Sequence, residues 1–320
     1  MSRFKAPAVS NAVLFITLGL VLGVSVDQKA LAESLHDDRG TPIKAMDAER
    51  VAAISTFAAD TLVALGVSPV GASTFGSEPV PGYLGKSLAE TQSLGQRANT
   101  NLERLTELNP DLIIGIHRYT EPHARQLEAI APFLAFDVVS LEDSRRAIEG
   151  IAMALGQHAE GEALNRSFDA RLNEFADAPG EVSAILLAGA GETPFAYYDH
   201  FLSAALLEHL NATNAAGASP TPEQTIPFGY TISLEKLLAL NPDVIFLFAT
   251  GSKRAFANNP VWPYLDAVKN GRVFEVGPHW KEGGGPIARR MILDEMAWRL
   301  YPEIYDRPEL PADIASHAYR

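Results

Sequence analysis

The sequence predicts an α/β protein of two lobes, each with a mostly parallel sheet flanked by helices, joined by one long helix and leaving a ligand cleft between them. Three observations predict it. Leu102–Ile116 (LERLTELNPDLIIGI) and Leu234–Phe248 (LEKLLALNPDVIFLF), 132 residues apart, are identical at eight of fifteen positions. Short apolar runs alternate with helical spacing on both sides, the pattern of a sheet built with right-handed crossovers. Between them, Leu141–Ala178 carries no strand signal and keeps helical spacing throughout.

Taken in order, residues 33–48 are polar and mixed and read as a loose lead-in. Val51–Ile54 is a short buried-type strand, Ala58–Leu65 a helix, and Gly66 its C-terminal stop. Val67–Ala72 returns as a strand before a Gly/Pro/Ser-rich loop, Gly76–Gly85. In each repeat copy three leucines line one side of a short helix. Asn-Pro-Asp ends it, because a residue before proline avoids the helical region. The apolar run that follows suits a strand covered on both faces. A helix is expected near His123–Ile130. Gly156 divides Leu141–Ala178 into two helices, the second of about 20 residues and about 30 Å. The second lobe opens at Val182–Leu187 and closes with strand Arg272–Val276 and a helix near Ile287–Leu300. The expected organisation is a signal peptide at 1–32, a flexible lead-in at 33–48, an N-terminal lobe at 49–140 and linking helices at 141–178. A C-terminal lobe at 179–306 and a solvated tail at 307–320 complete it.

Arg3 and Lys5, the apolar run Ala12–Val24 and the A-x-A site Ala30-Leu31-Ala32 read as a signal peptide cleaved after Ala32. That apolar run is short for a membrane span of about 20 residues. The expectation is an exported protein of the periplasm with no stable membrane insertion after cleavage. The chain has no cysteine, which excludes thiol chemistry and Cys metal sites. Its net charge of −13 becomes −15 once Arg3, Lys5, Lys29 and Asp27 are gone. Such a balance offers no electrostatic footprint for nucleic acid.

Ligands of open α/β sheets bind beyond the carboxyl ends of the strands. That rule selects Ser55–Phe57, Arg97, His117–Glu121, Ala188–Tyr198, Phe228–Tyr230, Thr250–Arg254 and His279–Arg290, segments rich in aromatics and cations. Aromatic faces with a few Arg forks suit a bulky, partly anionic small molecule. His117 and His123 lie six apart in a loop, not at the i, i+4 spacing of helical metal ligands, and read as surface histidines; no metal site is expected. Gly283-Gly284-Gly285-Pro286 lacks the Lys-Ser/Thr of a phosphate loop and reads as a tight turn or a close backbone approach to a ligand. No G-x-S-x-G elbow, H-E-x-x-H helix or cysteine nucleophile argues for catalysis, and no enzyme activity is expected.

Four segments carry a resemblance: RVAAISTFAADTLVALGVSPVG, NLERLTELNPDLIIG, ISLEKLLALNPDVIF and WPYLDAVKNGRVFEV. Over roughly residues 49–300 the chain resembles the class III substrate-binding proteins of bacterial ABC importers, which carry ferric siderophores or cobalamin. It is most similar to the ferric hydroxamate-binding branch. The resemblance implies capture of a ferric siderophore and delivery to an inner-membrane ABC permease by a monomeric shuttle. It implies no resident cofactor, since iron travels as the chelate. It implies ligand contacts at Arg97 (GQRANTN), Tyr119 (IHRYTEP), Trp280 (GPHWKEGG) and, approximately, Phe228; for a citrate-type or other carboxylate chelate, Arg97 and either Arg289 or Arg290 would face its charge. Glu282 stands where that branch has an aromatic. Glu121 and Glu235 match the acidic residues that dock on permease arginines, although a Ser233 cap and the helix dipole also favour an acid at 235. Cobalamin or haem carried by the same fold, and an exported hydrolase, are the alternatives.

Overall fold

The computed structural model describes residues 35–76, 78–248, 254–311 and 313–319. The expected signal peptide, its cleavage site and Lys253 lie outside the described residues.

Strand β1 (Val51–Ala53) runs into helix α1 (Thr56–Ala64), whose first turn is capped by the Ser55 hydroxyl accepting from Ala58 N–H at 3.1 Å. Gly66, at φ +78°, ends it in the left-handed conformation that glycine adopts without a Cβ penalty. Then come β2 (Gly71–Thr74), β3 (Gln92–Gln96), α2 (Leu102–Glu107) and β4 (Leu112–Ile116). Strand β2 begins later than the sequence suggested, since Pro69 cannot donate to a ladder. Helices α3 (His117–Thr120) and α4 (Ala124–Glu128) lead to β5 (Phe133–Phe136). These five strands form an all-parallel sheet in the order β3-β2-β1-β4-β5.

Helix α5 (Leu141–Ala154) starts with a reciprocal Ser140–Asp143 capping box and turns at Gly156 into α6 (His158–Asn173). A Cβ on Gly161 would stand 2.5 Å from Ala152 Cβ, so the two helices pack against each other in a hairpin rather than running on. The second spans 16 residues, about 24 Å at 1.5 Å per residue. It is shorter than expected because Phe175 and Ala178, though buried, lie in the turns after it. Helix α5 gives Ala147, Ile148, Ile151 and Ala152 to the first core; α6 gives Phe168 and Leu172 to the second.

The second lobe contains β6 (Ser183–Ala188), β7 (Phe195–Tyr197), α7 (Leu202–His209), β8 (Thr213–Asn214), β9 (Gly229–Thr231) and α8 (Leu234–Leu240). After these come β10 (Val244–Phe248), α9 (Asp266–Lys269), β11 (Val273–Val276), α10 (Pro286–Leu300) and β12 (His317–Ala318). Its mixed sheet runs β12-β11-β10-β6-β7-β9, with β8 beside β6. The NPD copies therefore sit in two separate sheets, each beside the first strand of its own lobe. Asn109 (φ 45°) and Asn241 (φ 44°) end their helices in the left-handed region, which asparagine tolerates and which the following proline permits. The aspartate does matching work in both copies. Asp111 accepts from Glu49 N–H (2.8 Å) and Arg50 N–H (3.0 Å). Asp243 accepts from Ser183 N–H (2.8 Å) and its hydroxyl (2.7 Å). Each carboxylate pins the entry of the neighbouring strand, which explains why the motif recurs.

Two expectations are corrected. The lead-in is not loose: Ile43 is buried in the first core, and the buried Asp37 carboxylate accepts from Arg39, Thr41 and Ala135 N–H. The tail is anchored rather than free, although residues 307, 309, 311 and 313 stay exposed. Ile314 is buried, and β12 pairs antiparallel with β11 through His317 and Ala318. Its apolar residues are too few to register as a strand in sequence.

The lobes meet along one face of α1. Asp60, fully buried, accepts from Ile287 N–H and Ala288 N–H (2.8 Å each) and from the Tyr83 hydroxyl (2.7 Å). Burial pushes its carboxyl up to about 6, while those three donors pull it back. A Cβ on Gly285 would lie 2.2 Å from Asp60 Cγ, and one on Gly284 2.2 Å from Val138 Cγ1. The triple-glycine run is thus a close approach between lobes, not a ligand cradle. Ser144 Oγ–H donates to Gly284 C=O beside it. Asp60→Ala is expected to lower unfolding stability by about 3 kcal/mol, since buried donors lose their acceptor. Urea unfolding measures this, and a loss under about 1 kcal/mol would show that the seam does not rest on Asp60.

Candidate functional site

Every parallel strand of the first lobe ends on the same side, and its next residues form one wall. Phe75 follows β2, Arg97 follows β3, His117–Tyr119 follow β4, Asp137 follows β5, and Ser55–Thr56 follow β1. The Arg97 guanidinium lies between two rings, 4.2 Å from Tyr119 and 4.6 Å from Phe75. Arg118 sits 4.9 Å from the Tyr119 ring and donates to Asp137 at 2.8 Å; His117 Nδ1 is 3.3 Å from the same carboxylate. Burial alone would raise the Tyr119 phenol, but Arg97 and Arg118 outweigh it and hold the phenol below its usual range. Burial draws Arg97 down in turn, opposed by Tyr119.

The second lobe supplies a facing aromatic wall. Tyr197, at the end of β7, stacks nearly parallel to Phe228 (6.1 Å, 6°) and packs on Phe201 at 4.3 Å. Phe195 meets both Tyr197 and Phe228 edge-on. Burial, with Tyr119 nearby adding to it, holds the Tyr197 phenol well above its ordinary value. Tyr198 stacks on Tyr230 at 5.1 Å. Arg254, fully buried, donates to Phe248 C=O (2.9 Å) and Glu275 (2.7 Å), tying the end of β10 to β11.

Where the walls meet, the loop after β11 crosses to the first lobe. Lys281 Nζ stands 4.1 Å over the Phe75 ring. Burial, then the charges of Arg254 and Arg97, push its ammonium down to about 8. Glu282 forms an ion pair with Arg97, and its other oxygen accepts from Thr56 N–H at 2.9 Å, at the positive end of α1. A small cavity of about 60 Å³ lies beside Arg97, Asn99, Tyr119 and His123, too small for a metal chelate. A wider groove of about 790 Å³ lies elsewhere, at the Ala64 end of α1 between α6, α10 and residues 304–310.

The structure therefore brings together Arg97 and Tyr119, and sets Phe228 in the facing wall. It does not bring Trp280 or Arg289 to them. Trp280 is fully buried in the second core, 5.1 Å from Phe246, with its indole N–H donating to Glu295 at 2.8 Å. An indole that finds a buried acceptor packs as well as any apolar ring. Arg289 is fully buried as a strut: it donates to Ser144 Oγ (3.1 Å) and Asn165 Oδ1 (2.8 Å), over the Phe168 ring at 4.3 Å. Burial pushes it down to about 9. Lys281, Glu282 and Phe75 were missed as site residues, although position 282 had registered as a departure from an expected aromatic. Glu121 and Glu235 are exposed, one on each lobe. The Glu235 backbone N–H and the Ser233 hydroxyl hold the Glu235 carboxyl below its ordinary range, as first-turn capping requires. Among the described residues no three His, Asp or Glu side chains gather to hold a metal ion, and no helix is long and apolar enough to cross a membrane.

The profile of the periplasmic binding protein family matches residues 51–279. The Fe(3+)-citrate-binding protein YfmC of Bacillus subtilis is 26% identical, over 75% of this chain and 77% of its own length. The achromobactin-binding periplasmic protein of Dickeya dadantii is 25% identical, over 87% of this chain and 91% of its own. Among solved structures, the triscatecholate siderophore-binding protein FeuA of Bacillus subtilis, complexed with ferri-bacillibactin, superposes with a TM-score of 0.69. It is 19% identical and covers 84% of this chain and 98% of its own, a likeness of fold.

Lys281 gives this cleft a pH dependence. An anion bound nearby raises its pKa, so affinity for a multivalent anion is full below about pH 8 and falls as pH rises through it. Calorimetric titration between pH 6.5 and 9.5 should show that decline, and Lys281→Met should remove it. A decline that survives in the variant would clear Lys281 of the effect.

Proposed function

Since this chain belongs to the periplasmic binding protein family, we propose that it captures a ferric siderophore in the periplasm and hands it to an inner-membrane ABC permease for iron uptake. The observation that carries the reading is the cation set between rings: Arg97 held by Phe75 and Tyr119, with Arg118 and Lys281 beside it and an aromatic wall opposite. Iron arrives already chelated, so the protein's task is to recognise the organic shell. Tyr119, Tyr197 and Phe228 offer faces to that shell, and Arg97 makes charge-assisted bonds to chelating oxygens. Arg97, Arg118 and Lys281, set against Glu282 and Asp137, leave a net positive charge, which favours a chelate carrying carboxylates over a neutral one such as cobalamin. Similarity to proteins named for ferric citrate and achromobactin supports this.

The protein acts as a monomeric shuttle, exported by the segment ending at Ala32, and supplies neither catalysis nor metal ligands of its own. Glu121 and Glu235 present one carboxylate per lobe to the permease.

Titration with a panel of ferric citrate, ferric hydroxamates, ferric catecholates, cobalamin and haem tests the assignment. Saturable binding of a ferric chelate is expected, strongest for carboxylates. Binding of cobalamin or haem alone would replace the reading. Arg97→Ala is expected to weaken binding of the chelate by roughly 10- to 100-fold, the worth of a charge-assisted hydrogen bond; unchanged affinity removes Arg97 from the site. The double variant Glu121→Ala, Glu235→Ala should keep wild-type affinity yet impair uptake of radiolabelled iron by cells. Normal uptake would dismiss the docking role.

A further inference from the structure

Among the described residues, Glu282 is the acid that the opposite lobe brings into the cation cluster. Its two oxygens are spent on different partners: one on Arg97, the other on the amide of Thr56 at the start of α1. Both side chains of the pair are largely shielded, with 9% and 7% of their surfaces exposed. Arg97 also lies against the Phe75 and Tyr119 rings. A ligand carboxylate that bids for the Arg97 nitrogen already paired with Glu282 must displace that acid.

We propose that Glu282 is an internal competitor for the ligand, a specificity-determining carboxylate that yields Arg97 only to a chelate bringing acid groups of its own. This deepens the reading of the cleft as an anionic-chelate site and rests on it. The chemistry follows from the placement. A carboxylate ligand replaces one Arg97 ion pair with another and loses little. A neutral ligand that parted the pair would leave both Arg97 and Glu282 buried without a counter-charge, and a buried charge stripped of its partner is costly. Released from Arg97, Glu282 keeps its second anchor at the positive end of α1, where an acid is favoured. Lys281, next along the chain, then faces both the ligand and the freed carboxylate. Such competition lowers apparent affinity by the fraction of time that Arg97 is engaged.

Glu282→Gln tests this, because glutamine can still accept from Thr56 N–H while losing the charge that holds Arg97. Iron-free citrate and ferric citrate are titrated calorimetrically into both proteins, with thermal unfolding to confirm folding. Both probes should bind the variant roughly tenfold more tightly. That gain should vanish in the background of Arg97→Met. A merely structural Glu282 would give equal or weaker binding in the variant, and that result overturns the proposal. If ferric citrate binds both proteins equally, the competitor fails while the chelate reading stands. If only iron-free citrate binds, and binds the variant more tightly, the competitor stands and the ferric reading fails. If neither probe binds either protein, the competitor falls, and the chelate reading stands or falls on the hydroxamates and catecholates of the wider panel.

Discussion

The seating of one lobe on the other runs through α1, and above all through the Asp60 carboxylate. Thr56 and Asp60 are four residues apart and so lie on one face of the helix. Thr56 N–H holds Glu282, and Asp60 holds the first two free amides of α10. The loop from Glu282 to Ala288 is thereby laid along α1 like a strap. Burying a carboxylate at that contact is tolerable only because three donors converge on it. The missing Cβ atoms at Gly284 and Gly285 let the backbones come close enough for those bonds. Everything that makes the cleft chemically distinctive depends on this fit. Lys281 and Glu282 reach the first lobe's wall because the strap is fastened just beyond them.

The hairpin of α5 and α6 supports the same geometry from the side. Its first helix belongs to one core and its second to the other, and Arg289 ties both to α10. Two lobes linked at the hairpin, the strap and α10 have few soft backbone positions in common. Hinge motion needs such positions to absorb rotation.

Much of the architecture was legible in the residues. The duplicated NPD segment announced two related units, and its aspartates proved to fasten strands rather than to serve a ligand. Gly156 marked the hairpin's bend. What sequence could not show was depth. Trp280 looked like a cleft aromatic, but Glu295, fifteen residues on, draws its indole inward. Arg289 looked like a cleft cation, but its acceptors lie on two other helices. Arg97 and Tyr119 were legible through the resemblance, in GQRANTN and IHRYTEP, and each lies within three residues of a strand end. Lys281 and Glu282, inside the selected segment His279–Arg290, were not singled out because their importance comes from contacts with first-lobe residues far away in the chain.

Strand β12 has a consequence for solubility. Paired against β11, it covers main-chain N–H and C=O groups that would otherwise line an open border of the second sheet. Bare borders of this kind recruit strands from other molecules. Any product lacking His317 and Ala318 would keep both walls of the cleft but uncover Phe274 and Glu275 of β11, a template for self-association.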